Sequence, residues 1–272
     1  MLKQRVLTAL VLIPLTVWAI FGLGTIYLGL VFALLVLMGA REWAQLIPLS
    51  RTLSQAVFVA AVAFFQALTW LLLVQWGTVF PVLVLALLWW MVAVYWIGCY
   101  RGESKHSKSA KTVAGLLTLV PAWISLVGLH SISDRGSWVL LYVLVLMWVA
   151  DSGAYFAGRQ WGKRKLAPYV SPGKSWEGVA GGVAATTLYA AIAGYYFGFQ
   201  NSQLVLFVIV SIVTVAFSIA GDLLESLLKR EQGVKDSGTL LPGHGGVLDR
   251  VDSITAGGPV FLLGYSILGW TA

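Results

Sequence analysis

Nine apolar stretches dominate the chain, at roughly 6–23, 25–40, 53–75, 79–98, 112–130, 137–158, 177–199, 203–225 and 253–270. Each is close to the length an α-helix needs to cross about 30 Å of hydrocarbon, although the second and the last are short. Hydrophobic residues make up 59% of the chain, charged residues 11%, and the mean hydropathy is +0.85. Those values exclude an ordinary soluble domain and define an all-α, polytopic integral membrane protein. The basic head (Lys3, Arg5) and apolar run at the start imitate a signal peptide. They lead directly into further spans without a convincing small-residue cleavage site, so the expectation is a retained first helix. The single Cys99 excludes an intrachain disulfide framework and a cysteine-rich metal site.

The basic residues supply an independent test of the span count. Lys3 and Arg5 precede the first stretch, and Arg41 and Arg51 follow the second. Arg101, Lys105, Lys108 and Lys111 follow the fourth. Arg159, Lys163, Arg164, Lys165 and Lys174 follow the sixth, and Lys229, Arg230, Lys235 and Arg250 the eighth; only Arg135 lies in a loop of the opposite side. With nine spans, 17 of the 18 bases share one face, which the positive-inside rule assigns to the cytoplasm. The expected topology is N-terminus in, C-terminus out. A net charge of +7 then reflects proximity to anionic lipid, and no nucleic-acid partner is expected.

The two ends of the chain differ in kind. Residues 1–110 carry only Glu42 and Glu103 as acids and read as scaffold helices, with Trp18, Trp76, Trp89, Trp90 and Trp96 near the membrane interfaces. Residues 111–272 read as the catalytic part of one continuous membrane domain. In the seventh stretch Gly178 and Gly182 have the small-residue spacing that favours close helix contact.

Asp222–Asp252 is the one long polar run, holding six of the 11 acids: Asp222, Glu225, Glu231, Asp236, Asp249 and Asp252. On a helix Asp222, Glu225, Ser226 and Lys229 share a face; the bland alternative is a helix-end ion pair to Lys229. Beyond them, the glycines of Pro242-Gly-His244-Gly245-Gly246 allow close backbone approach and expose N–H groups to an anion. Asp249 and Asp252 suit a hard cation, or a helix N-cap. His244 has no second histidine at a zinc-like spacing. A third cluster, Ser171-Pro-Gly-Lys174-Ser-Trp-Glu-Gly178, contains Gly-Lys-Ser, but Pro168 stands where a Walker A loop needs glycine. Lys174 remains beside a helix start as a phosphate contact. The loop 158–165 reads more simply as resting on lipid headgroups. Acids for cations, bases for phosphates and glycine turns together fit metal-assisted phosphoryl or nucleotidyl transfer, with a lipid as one substrate.

The run Ser226-Leu-Leu-Lys-Arg-x4-Lys235-Asp236-x-Gly-x-x-Leu-Pro-Gly-His244-Gly-Gly-Val-Leu-Asp249-Arg250-Val-Asp252 closely resembles the signature of the phosphatidate cytidylyltransferases, the CDP-diacylglycerol synthases. The segment 171–178 is similar to a second stretch of that family. The resemblance implies transfer of a cytidylyl group from CTP to phosphatidate, on the cytoplasmic side of an inner membrane, by a homodimer. It implies Asp222 and Asp249 as ligands of Mg²⁺, with a second cation, and Ser226, Lys229 and Arg230 around the phosphates. Lys174, Lys235, His244, Gly245, Gly246, Arg250 and Asp252 complete the implied substrate site. The alternatives are a CTP-dependent polyprenol or phytol kinase, which would not be expected to carry the full run, and an ion-coupled transporter. A transporter would scatter its acids at mid-membrane depth, whereas here they cluster.

Overall fold

Apolar runs that cannot leave their backbone unpaired in lipid become helices. The computed structural model describes residues 2–49, 51–102, 106–238 and 245–270, residues 2–9 as backbone alone. Among the described residues there are nine α-helices: α1 (Leu2–Gly22), α2 (Thr25–Leu46), α3 (Thr52–Trp76), α4 (Phe80–Cys99), α5 (Lys108–Ser131), α6 (Gly136–Trp161), α7 (Trp176–Tyr196), α8 (Asn201–Gln232) and α9 (Leu248–Ile267). Seven of them, α2 to α8, are long and apolar enough to cross a membrane. Helix α9 begins with Asp249, Arg250 and Asp252, yet most of its later residues are buried. It packs against α8, α5, α4 and α6, and α5 is buried along most of its length, so these two form the centre of the bundle. By contrast α3 and α4 expose broad apolar faces, including Phe64, Leu71, Leu88 and Tyr95. Not every tryptophan is an interface anchor: Trp89 and Trp90 are buried between helices, and Trp89 Nε1 donates to Thr118 Oγ1 at 2.9 Å.

Two features of this bundle shape its polar end. The first is a small antiparallel hairpin between α6 and α7, β1 (Lys165–Ala167) and β2 (Ser171–Ser175), with Lys165 opposite Ser175 and Ala167 opposite Ser171. Hydropathy gives no warning of it, because the segment is polar and short. The second is close helix packing through small residues. Gly178 and Gly182 do lie in a tight interface, with α6: a Cβ added at either would come within 3.0 Å of the carbonyl of Ala154 or Ala150. Gly153 and Gly181 tighten the same crossing. At the α8–α9 crossing, a Cβ on Gly221 would run into the carbonyl of Asp252. Helix α8 ends at Gly233, whose φ of +70° closes a Schellman-type cap in which Val234 N donates to Lys229 O at 3.0 Å.

Candidate active site

The α8–α9 crossing gathers the acids. Asp222, Glu225, Ser226 and Lys229 fall on one face of α8 as the helical repeat requires: Ser226 Oγ donates to Asp222 Oδ1 at 3.2 Å, and Lys229 Nζ meets Glu225 Oε1 at 3.0 Å. Lys229 also reaches across to Asp249 Oδ1 on α9 at 2.6 Å. The helix-end ion pair to Lys229 therefore forms with Glu225, and the same ammonium bridges two helices. Asp222 takes a different partner, Lys174 of β2, at 2.7 Å. Asp252 lies within electrostatic reach of Asp222, Asp151 and Lys174, and its Oδ1 accepts from Ser253 N at 2.7 Å.

Lys174 is held there by the hairpin's own fastenings. Ser175 caps α7, accepting from Gly178 N at 3.2 Å. Glu177 in the first turn of α7 accepts from the backbone N–H groups of Lys163 and Arg164, both at 3.1 Å. Val170, between the strands, is buried, and its carbonyl accepts from Arg230 Nε at 3.3 Å. Arg230 thus ties the hairpin to α8. A cleft of about 450 Å³ opens beside Lys174, lined by Asp151, Tyr155, Arg159, Ser175 and Asp222 among others. Arg159 belongs to the stretch read as a lipid-contacting loop; in the structure it lies in the last turn of α6 and faces this cleft.

The loop entering α9 is pinned by carboxylates. Asp249 Oδ2 accepts from Ser237 N at 3.0 Å, Ser237 Oγ at 3.0 Å and Gly246 N at 2.8 Å. Asp249 is not the helix N-cap; it sits inside α9 and reaches back, as an acid of a capping box does. Gly245 adopts φ +81°, and a Cβ there would lie 2.7 Å from Asp249 Oδ2. Lys235 is exposed and lines a polar basin of about 620 Å³ with Arg41, Glu42, Gln45 and Asp236. Arg250 is also exposed. His244 lies outside the described residues. Glu42, given no role by its sequence context, is buried against this loop, accepting from Val247 N at 3.0 Å and Leu248 N at 2.8 Å. Its only sequence signal is being an acid in a scaffold otherwise almost free of them.

Among the described residues no three or more acids, histidines or cysteines close around one point to hold an ion. Mg²⁺ takes one or two carboxylates and completes its shell with water and substrate phosphates. All the donors are hard oxygens: Asp222 pairs with Lys174, and Glu225 and Asp249 with Lys229. The carboxylate oxygens of Asp222 and Asp249 are of the hard class such an ion takes.

Comparisons with known proteins agree along the whole chain. A profile of the cytidylyltransferase family matches residues 3–268. The phosphatidate cytidylyltransferase of Pseudomonas aeruginosa is 42% identical over 274 residues, which covers 100% of both chains. The protein of that name from Haemophilus influenzae is 42% identical, over 96% of this chain and 97% of its own. The one from Thermotoga maritima is 34% identical, over 98% and 97%.

Proposed function

Since the chain belongs to the cytidylyltransferase family, we propose that it transfers the cytidylyl group of CTP to phosphatidate, releasing pyrophosphate and forming CDP-diacylglycerol. The observation that carries this reading is the meeting of two lysines and three acids (Lys174, Lys229, Asp222, Glu225, Asp249) at one end of the bundle. A lipid phosphomonoester is mostly dianionic near neutral pH, its second pKa being about 6. One of its oxygens attacks the α-phosphorus of CTP in line, while the bond to the β-phosphate oxygen breaks and the electron pair leaves on pyrophosphate. No protein nucleophile is needed. Lys174 and Lys229 exchange a carboxylate for phosphate oxygens and hold them in line. Ser226 keeps Asp222 oriented, and Arg230 keeps the hairpin, and so Lys174, against α8. Mg²⁺, with a second cation, would be held by Asp222 and Asp249 and would neutralise phosphate charge when bound.

The proposal includes an inner-membrane location, the site on the cytoplasmic side and a homodimer, as the signature's resemblance implies. The bias of bases to one face supports the orientation. The test uses the purified protein in detergent with phosphatidate, Mg²⁺ and CTP labelled at the α- or, separately, the γ-position. Label from the α-position is expected in lipid, with pyrophosphate released. Label from the γ-position in lipid when a polyprenol is added would favour the kinase instead; label from neither position would overturn nucleotidyl transfer.

A further inference from the structure

We propose that Glu42 is a positioning residue for this reaction: from α2 it holds residues 237–238 after α8 and 246–248 at the start of α9, and through Ser237 the Asp249 carboxylate. The inference rests on the proposed cytidylyl transfer. Glu42 is 3% exposed, and a carboxylate this deeply buried is costly unless hydrogen-bonded. Its described hydrogen bonds all go to those two stretches: Val247 N to Oε1 at 3.0 Å, Leu248 N to Oε2 at 2.8 Å, and Ser237 Oγ to Oε2 at 3.2 Å. The first two satisfy N–H groups that the start of α9 leaves without helical partners, where negative charge is also favoured. The third extends the network towards the site. Ser237 Oγ also lies 3.0 Å from Asp249 Oδ2, so its single hydroxyl proton is shared between the two carboxylates. Sterics agree in both stretches. A Cβ on Gly238 would lie 2.5 Å from Glu42 Oε1, and one on Gly246 would collide with Glu42 Oε2 and Ser237 Oγ. A carboxylate that only capped α9 would need neither Ser237 nor the space at Gly238.

Glu42→Gln keeps the size of the side chain but offers one accepting oxygen and turns an NH₂ towards N–H donors. Losing this support should lower kcat by about 10–100-fold, the usual cost of removing a group that orients a site carboxylate. Hydrogen exchange at Val247 and Leu248 should quicken while α6 and α7 stay unchanged, a local effect that general destabilisation would not give. Ser237→Ala removes only the bridge; it should lower kcat by about 3–10-fold and leave Val247 and Leu248 protected. The double variant should lose no more than Glu42→Gln alone, within about two-fold, because both act through one network. A Glu42→Gln enzyme with wild-type kcat, or with reduced kcat and unchanged local exchange, overturns the role. If that variant does not fold, wild-type kcat in Ser237→Ala overturns it. The wild type is run in the same assay: no α-label transfer there defeats the proposed function itself, whereas an active wild type with unaffected variants defeats only the role of Glu42.

Discussion

Two ammonium groups pair with three of the four acids of the α8–α9 crossing. Lys229 serves Glu225 and Asp249, and Lys174 serves Asp222. Neutralising one acid therefore has local consequences. In Asp249→Asn, Lys229 keeps Glu225, so no buried charge is left alone and the protein should still be purified folded in detergent. Its kcat for α-label transfer should fall by about 10²–10³-fold, the scale of losing one pre-organised electrostatic group. Near-normal turnover at saturating Mg²⁺ would remove Asp249 from the proposed cation site. Lys174 and Asp222 are each about a third exposed, at 27% and 32%, and such a pair contributes little to stability. Lys174→Ala should accordingly leave thermal stability nearly unchanged and raise the KM for one phosphate substrate by about 10-fold, the value of one charge-assisted hydrogen bond. An unchanged KM for both CTP and phosphatidate would reduce Lys174 to an ion-pair partner.

Among the elements, the α6–α7 crossing governs where the hairpin, and with it Lys174, stands relative to α8. The spacing of Gly178 and Gly182 announces a close contact, but the partner and its depth depend on α6. A Cβ on Gly181 would strike Ala157 Cβ and lie 2.8 Å from the carbonyl of Gly153, whereas a Cβ on Gly98 of α4 meets nothing within 4 Å. Gly181→Val should thus destabilise by about 1–3 kcal/mol, as overpacking does, and lower the melting temperature in detergent. Gly98→Ala should be neutral or stabilising by about 0.5–1 kcal/mol, the helical cost of glycine. Equal melting temperatures for the two variants would mean that α6 and α7 are not in this contact.

At the scale of the whole molecule, one buried cluster ties the two parts of the chain together at the end that carries the site. Glu231, its side chain fully buried near the end of α8, accepts from His106 Nδ1 at 2.6 Å and Lys111 Nζ at 2.7 Å; Trp96 stacks on His106 with ring centroids 3.9 Å apart. The loop after α4 and the start of α5 are therefore on the same side as Lys229. Cys99, the single cysteine, is exposed at the end of α4 beside that loop, which makes it a reporter of orientation. If the basic face is cytoplasmic, a membrane-impermeant maleimide should label Cys99 in inverted vesicles and not in intact cells. Labelling in intact cells would reverse the proposed topology. Removing Glu231 should strand the buried Lys111 charge and cost about 3–5 kcal/mol, measured as loss of the folded peak or a lower melting temperature.

Apolar run length and charge bias determined the helices from sequence alone, because both are local. A segment in lipid must satisfy its own backbone, so each run lies on a helix, although α2 and α8 continue six and seven residues past theirs, to Leu46 and Gln232, into polar sequence. The shared face of Asp222, Glu225, Ser226 and Lys229 was equally legible, being a matter of 3.6-residue periodicity. The Lys229–Glu225 pair lay within that reading, but the pairs Lys229–Asp249 and Lys174–Asp222 did not, since Lys174 and Asp249 reach α8 only through the hairpin and the close approach at Gly221. Glu42 shows the limit most plainly: it bonds Ser237 across a sequence separation of 195 residues. Its burial and its partners are set by how α2 packs beside α9. No local pattern carries that information, because helix packing sums many weak contacts between residues far apart in the chain.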